Sequence, residues 1–157
     1  MANAGSWDWQ YNPPQPSNKV IVEYMAHVQG FGDSQFETQP SECGTTGQSR
    51  RLEGFLIRLQ HESDVVGLRY KAHLQGLGDT GWVFLNEFVG TRGQRRRLEA
   101  FWIELTDNVD KYAVYYSAYL QGTAWTGWFR NGQMCRTIGE SRRVEAIKVF
   151  VADKSSS

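Results

Sequence analysis

The sequence predicts an all-β domain, a pseudo-threefold β-prism of three sheets with the β-trefoil as the alternative, on three observations. Like residues recur at one interval along most of the chain, and the recurring segments alternate apolar and polar with a period of two. No segment carries a 3.6-residue apolar stripe long enough for a helix.

The interval is 46 residues. Tyr24, Tyr70 and Tyr116 keep it, as do Ala26, Ala72 and Ala118, then Gln29, Gln75 and Gln121, and Thr45, Thr91 and Thr137. Gly47, Gly93 and Gly139 follow the same step, with Arg51, Arg97 and Arg143 and with Glu53, Glu99 and Glu145. The register runs without insertion from Val20 to about Lys154, which divides a single domain of residues 20–157 into copies at 20–65, 66–111 and 112–157. Each copy is too small to enclose a core, so three must share one.

Within a copy the first strand sets Tyr70, Ala72 and Leu74 on one face and Arg69, Lys71, His73 and Gln75 on the other. A glycine-flanked turn follows, Gly30-Phe31-Gly32-Asp33 or Gly76-Leu77-Gly78-Asp79. Next come a short aromatic segment, Trp82-Val83-Phe84 or Trp128-Phe129, and a loop containing Gly-Thr-x-Gly. The last strand is the main core strand, with Phe55, Ile57 and Leu59, then Phe101, Ile103 and Leu105, then Ile147, Val149 and Val151 facing inward. On strict alternation Arg51 and Glu53 share that inward face, as an ion pair anchoring one end of the strand. These strands run to nine or ten residues, longer than a trefoil needs, which favours the prism.

Residues 1–19 stand outside the repeat and carry Trp7, Trp9 and Tyr11 before a Pro-rich run. Three aromatics do not suit a disordered tail. The expectation is an arm packed on the domain, the alternative a strand exchanged with a second copy to give a homo-oligomer.

The 17 basic residues balance the 17 acidic ones, so no global field recruits nucleic acid. The basic run Arg92-x-x-Arg95-Arg96-Arg97 has no counterpart in the other copies and reads as a solvated turn. No apolar stretch is long enough to span a membrane, and no leader pattern opens the chain, so the expectation is a soluble protein, cytoplasmic unless a leader was removed. Cys43 and Cys135 fall at equivalent places in copies one and three, and two free thiols are expected rather than a disulfide.

Candidate binding residues cluster around the first turn of each copy: His27, Gln29, Gly32 and Asp33; His73, Gln75, Gly78 and Asp79; and Tyr119, Gln121 and Trp125. Glycines allow a ligand close to the backbone, and a carboxylate accepts from two hydroxyls at once. Trp82 and Trp128 lie three residues beyond and offer flat apolar faces, although core packing would use them equally well. Hydroxyl edges with C–H faces are the signature of sugars, which need both kinds of partner. No spacing of His and Cys suggests a metal, and no nucleophile with a base recurs, so neither a cofactor nor an enzymatic activity is expected.

The pattern Tyr-x-Ala-His-x-Gln-Gly, an aromatic segment, then Gly-Thr-x-Gly-x-x-Arg-Arg-Leu-Glu-Ala resembles the clostridial hydrophobic repeat with a characteristic tryptophan. The resemblance covers about 36 residues of each copy. It implies a module of bacterial surface and secreted proteins that serves adhesion or ligand binding rather than catalysis. Asp33 and Asp79 replace an expected tryptophan that copy three keeps as Trp125, which implies a changed ligand surface. The sequence thus leads to a lectin-like protein with up to three weak glycan sites acting multivalently, against the alternative of a protein-interaction or assembly module.

Overall fold

The structure, a computed structural model, describes residues 13–61, 66–122, 124–136 and 142–154. It is all-β among the described residues. Copy one contributes β1 (Val22–Val28), β2 (Gly32–Asp33), β3 (Glu37–Thr38), β4 (Cys43–Gly44) and β5 (Leu52–Leu59). Copy two contributes β6 (Leu68–Leu74), β7 (Gly78–Asp79), β8 (Val83–Phe84), β9 (Phe88–Gly90) and β10 (Leu98–Leu105). Copy three contributes β11 (Tyr112–Leu120), β12 (Phe129–Arg130), β13 (Cys135–Arg136) and β14 (Val144–Asp153).

Three separate antiparallel sheets result, the prism rather than a closed barrel. Each is built on the two long strands of one copy: β1 with β5, β6 with β10, and β11 with β14. Each then takes its edge strand from another copy. β9 of copy two pairs with β5, β13 of copy three pairs with β10, and β4 of copy one pairs with β14. The exchange runs once around the pseudo-threefold axis and closes on itself, so no copy completes a sheet alone. That interlock adds backbone hydrogen bonds to the shared core and predicts one cooperative unfolding unit.

The core lies where the three inner faces meet. Tyr70 stacks on Phe55 at 5.3 Å between ring centroids, Phe55 meets Phe101 edge-on at 5.5 Å, and Phe101 meets Tyr116 at 5.6 Å. These rings belong to all three copies and are fully buried, each worth about 1.5–3 kcal/mol of transfer free energy. The recurrent tyrosines also satisfy their hydroxyls. Tyr70 donates to the Glu87 carbonyl and accepts from the Ile57 amide at 3.0 Å, while Tyr24 and Tyr116 donate to the equivalent carbonyls of Ser41 and Gln133.

The expectation for Arg51 and Glu53 is corrected. Pairing shifts register between His27 and Val28, and again at the equivalent places in the other two sheets, leaving one extra residue on the last strand of each copy. This β-bulge lets Leu52 and Phe55 both point inward despite their odd separation, and it turns Glu53 to the outer face beside His27. Glu99 and Glu145 occupy the same bulge in copies two and three.

The N-terminal segment is fastened where the first and last copies meet. Buried Gln39 accepts from the amides of Val22 and Val151, at 2.9 and 3.1 Å, and donates to the carbonyls of Ser17 and Val20. Trp7, Trp9 and Tyr11 lie outside the described residues. Cys43 and Cys135 are free and buried on β4 and β13, in different sheets.

Candidate functional site

The residues singled out around the first turn come together on the outer face, at the end of each sheet where the bulge sits. His27 and Asp33 are direct cross-strand partners on β1 and β2, and His27 Nδ1 lies 2.7 Å from Asp33 Oδ1. His73 and Asp79 repeat the pair at the same distance. Tyr119 and Trp125 stand at the equivalent cross-strand position in copy three, as an edge-to-face aromatic pair 5.7 Å apart. One backbone frame thus presents two polar pairs and one aromatic pair.

Behind each pair sits the bulge carboxylate. Arg51 Nε donates to Glu53 at 2.8 Å, Arg97 to Glu99 at 2.7 Å and Arg143 to Glu145 at 2.7 Å. In copy one Glu53 Oε1 is also 3.6 Å from His27 Nε2. Asp33 is held more firmly than any sequence pattern suggests. Arg92, reaching from the turn after β9, donates to both of its oxygens at 3.0 Å and stacks on Phe88. The Arg92 guanidinium, helped by His27, holds the Asp33 carboxyl below its ordinary range.

The glutamines also anchor the turn. The Gln29 amide donates to the Arg51 carbonyl, its carbonyl accepts from Arg50 Nη1 at 2.9 Å, and its side-chain oxygen accepts from the Arg51 amide at 3.3 Å. Gln75 with Arg96 and Gln121 with Arg142 repeat the arginine-to-carbonyl clamp. The basic run is a solvent-exposed turn, as expected, and three of its arginines also have partners: Arg92 grips Asp33, Arg96 clamps Gln75 and Arg97 holds Glu99. Gly32 and Gly78 carry the turn through positive φ, +87° and +86°, with nothing near where a Cβ would stand.

Trp82 and Trp128 are not in the central core. They lie half-buried on the outer faces of the second and third sheets. Arg69 and Lys71 sit over Trp82 at 4.3 and 5.0 Å, and Lys148 sits between Trp125 and Trp128 at 4.1 and 5.2 Å. Phe36, the copy-one counterpart, carries Arg58 at 3.5 Å. Partial burial between the rings pushes the Lys148 ammonium down from its ordinary range. Trp128 also packs on Phe150 in a small apolar cluster with Tyr115, Ala113 and Ala152.

Where copies one and two meet, the bulge end of the first sheet and the glycine turn of copy two face each other across an open cleft of ≈ 480 Å³. His27, Gln29, Gly30, Arg51 and Glu53 form one wall and Gly93 and Arg95 the other. The copy-two residues were missed because nothing in the sequence says that a copy borrows its neighbour's turn. Among the described residues no group of His, Cys, Asp and Glu is arranged to hold a metal ion, and no helix is long and apolar enough to cross a membrane.

No curated protein and no solved structure matches the chain. A family model, clostridial hydrophobic W, matches it three times, at residues 27–61, 73–107 and 119–151. Each match starts on the outer-face residue of the cross-strand pair, His27, His73 or Tyr119, and together they span more than half of the sequence. The chain belongs to the clostridial hydrophobic W family, as three tandem repeats that interlock into one prism.

Proposed function

We propose that the protein binds carbohydrate through clefts repeated at the junctions between copies, and that it does so without catalysis. The observation that carries the reading is the open cleft between copies one and two. It is of small-ligand size and lined by a histidine, a glutamine, an ion pair and two glycines rather than by apolar side chains. Such a surface suits a ligand rich in hydroxyls. Half-buried Trp82, with Arg69 and Lys71 over its ring, lies on the same outer face as the His73–Asp79 pair and adds an aromatic group beside polar partners in copy two.

The divergence at the cross-strand position makes the sites unequal, with polar pairs in copies one and two and the Tyr119–Trp125 pair in copy three. An open site of millimolar strength is only about 4 kcal/mol, so useful affinity requires several sites on one glycan surface. An array of immobilised glycans probed with the intact protein tests this. Reproducible carbohydrate signals that fall in His27→Ala/His73→Ala support it.

A second reading rests on Phe31 and Leu77, which stand 58% and 56% exposed at equivalent turn tips. Exposed apolar tips in register suit a protein partner, adhesion or self-assembly. A blank array with a saturable protein ligand lost in Phe31→Ser/Leu77→Ser would favour it.

A further inference from the structure

We infer that the cleft between copies one and two is selective for an acidic sugar, a hexuronic acid, with Arg95 receiving its carboxylate; this rests on the carbohydrate reading above. Arg92 is consumed by Asp33 and Arg51 by Glu53. Arg95 lines the cleft with its side chain exposed, and among the described residues no hydrogen bond or ion pair joins it to another. It also holds a left-handed backbone, φ +57°, which costs a non-glycine residue on the order of 1 kcal/mol. Its counterpart in copy one, Ser49, has the same conformation at φ +56°, and the third counterpart is Ser141. The turn therefore accepts a small polar residue, and only copy two sets a long cation there.

The opposite wall complements it. Asp33 is ionised and accepts from His27 Nδ1, so a proton sits on that nitrogen, and Nε2 lies 3.6 Å from Glu53 Oε1. The Gln29 side-chain oxygen is used by the Arg51 amide, which leaves its NH₂ for a ligand hydroxyl. Hydroxyl partners thus line the copy-one wall, while a planar two-donor guanidinium stands on the other. A ring bearing hydroxyls on one side and one carboxylate on the other satisfies both walls. Gly93, with nothing within 4 Å of where a Cβ would stand, leaves space for it to approach the backbone, whereas the Arg50 guanidinium fills the corresponding space beside Gly30. The other two junctions lack the cation by sequence and are not expected to share the preference.

The intact protein is titrated with glucuronate, glucose and acetate while amide and arginine side-chain resonances are followed by NMR. Glucuronate is expected to bind at least ten-fold tighter than glucose, shifting Gln29, Gly93 and the Arg95 guanidinium. Arg95→Ser, which installs the residue that copy one already tolerates, is expected to abolish that advantage without moving Tm. Equal binding of glucuronate and glucose would overturn the acidic preference and leave the carbohydrate reading standing. No binding of either sugar would remove both. Acetate binding as tightly as glucuronate, or an Arg95→Ser titration like wild type, would likewise sink the sugar-acid assignment.

Discussion

Arg92, carried by the turn of the second copy, grips Asp33 of the first with two bonds of 3.0 Å across 59 residues of sequence. The pair ties the β1–β2 hairpin to the glycine turn that completes the first sheet, directly beside the cleft. Both side chains are nearly half exposed, so their coupling is worth at most about 1 kcal/mol.

The contact sets a pH dependence of definite sign. The Asp33 carboxyl titrates lower in the folded protein than its ordinary value of 3.8, so its contribution to stability is complete above that value and is lost as pH falls through the folded value. In Arg92→Ala the Asp33 titration, followed by carboxyl NMR, moves up toward 3.8. An unchanged titration would mean that His27 alone sets it.

How much of this was legible in the sequence follows from how far each interaction reaches. Tyr70, Ala72 and Leu74 on one strand and Phe101 and Ile103 on the other gave their faces away by alternation, and the equal spacing gave the three sheets. Asp33 was found as a polar turn residue, but its partner Arg92 lies in another copy, and strand exchange between copies leaves no local pattern. The inward placing of Glu53 failed at the bulge. A signal was present: Leu52, Leu98 and Val144 are apolar in every copy at odd separation from Phe55, Phe101 and Ile147, which strict alternation cannot accommodate.

The bulge carboxylates should differ in cost. Glu145 is 3% exposed at its side chain and Glu99 18%, although each holds its arginine at 2.7 Å. Removing the deeper one strands Arg143 in poorer solvent. Glu145→Ala is expected to lower stability by about 2–3 kcal/mol and Glu99→Ala by about 1 kcal/mol, measured by urea denaturation. Equal losses would show that the bulge, not burial, decides the cost.

The core tyrosines predict an alkaline limit. Burial pushes the Tyr70 phenol up to about 12 and raises Tyr24 and Tyr116 as well. A raised folded value means that the stability contribution is whole below the ordinary value of 10 and disappears as pH climbs toward 12. Ultraviolet titration of the native protein should therefore leave three phenols un-ionised at pH 11, while thermal stability declines from pH 10 upward. Tyr70→Phe removes one phenol that titrates at raised pH and costs about 1–3 kcal/mol, because the Ile57 amide and the Glu87 carbonyl lose their partner.

The interlock itself can be tested at one atom. Gly90 on β9 lies opposite Gly54 on β5 at φ +122°, and a Cβ there would stand 2.3 Å from the Glu53 carbonyl oxygen and 2.5 Å from Gly54 Cα. Those neighbours are backbone in a paired strand and cannot yield without opening the edge. Gly78 has a comparable left-handed φ, +86°, but nothing within 4 Å of its Cβ position. Gly78→Ala therefore pays conformational strain alone, on the order of 1 kcal/mol, whereas Gly90→Ala should exceed about 3 kcal/mol by adding overpacking at the seam. It should also displace Gly93 and Arg95, because the Thr91 amide bond to the Glu53 carbonyl is part of the same contact. Similar melting of the two variants would mean that the borrowed strand is held by its side chains and not by close approach of two backbones.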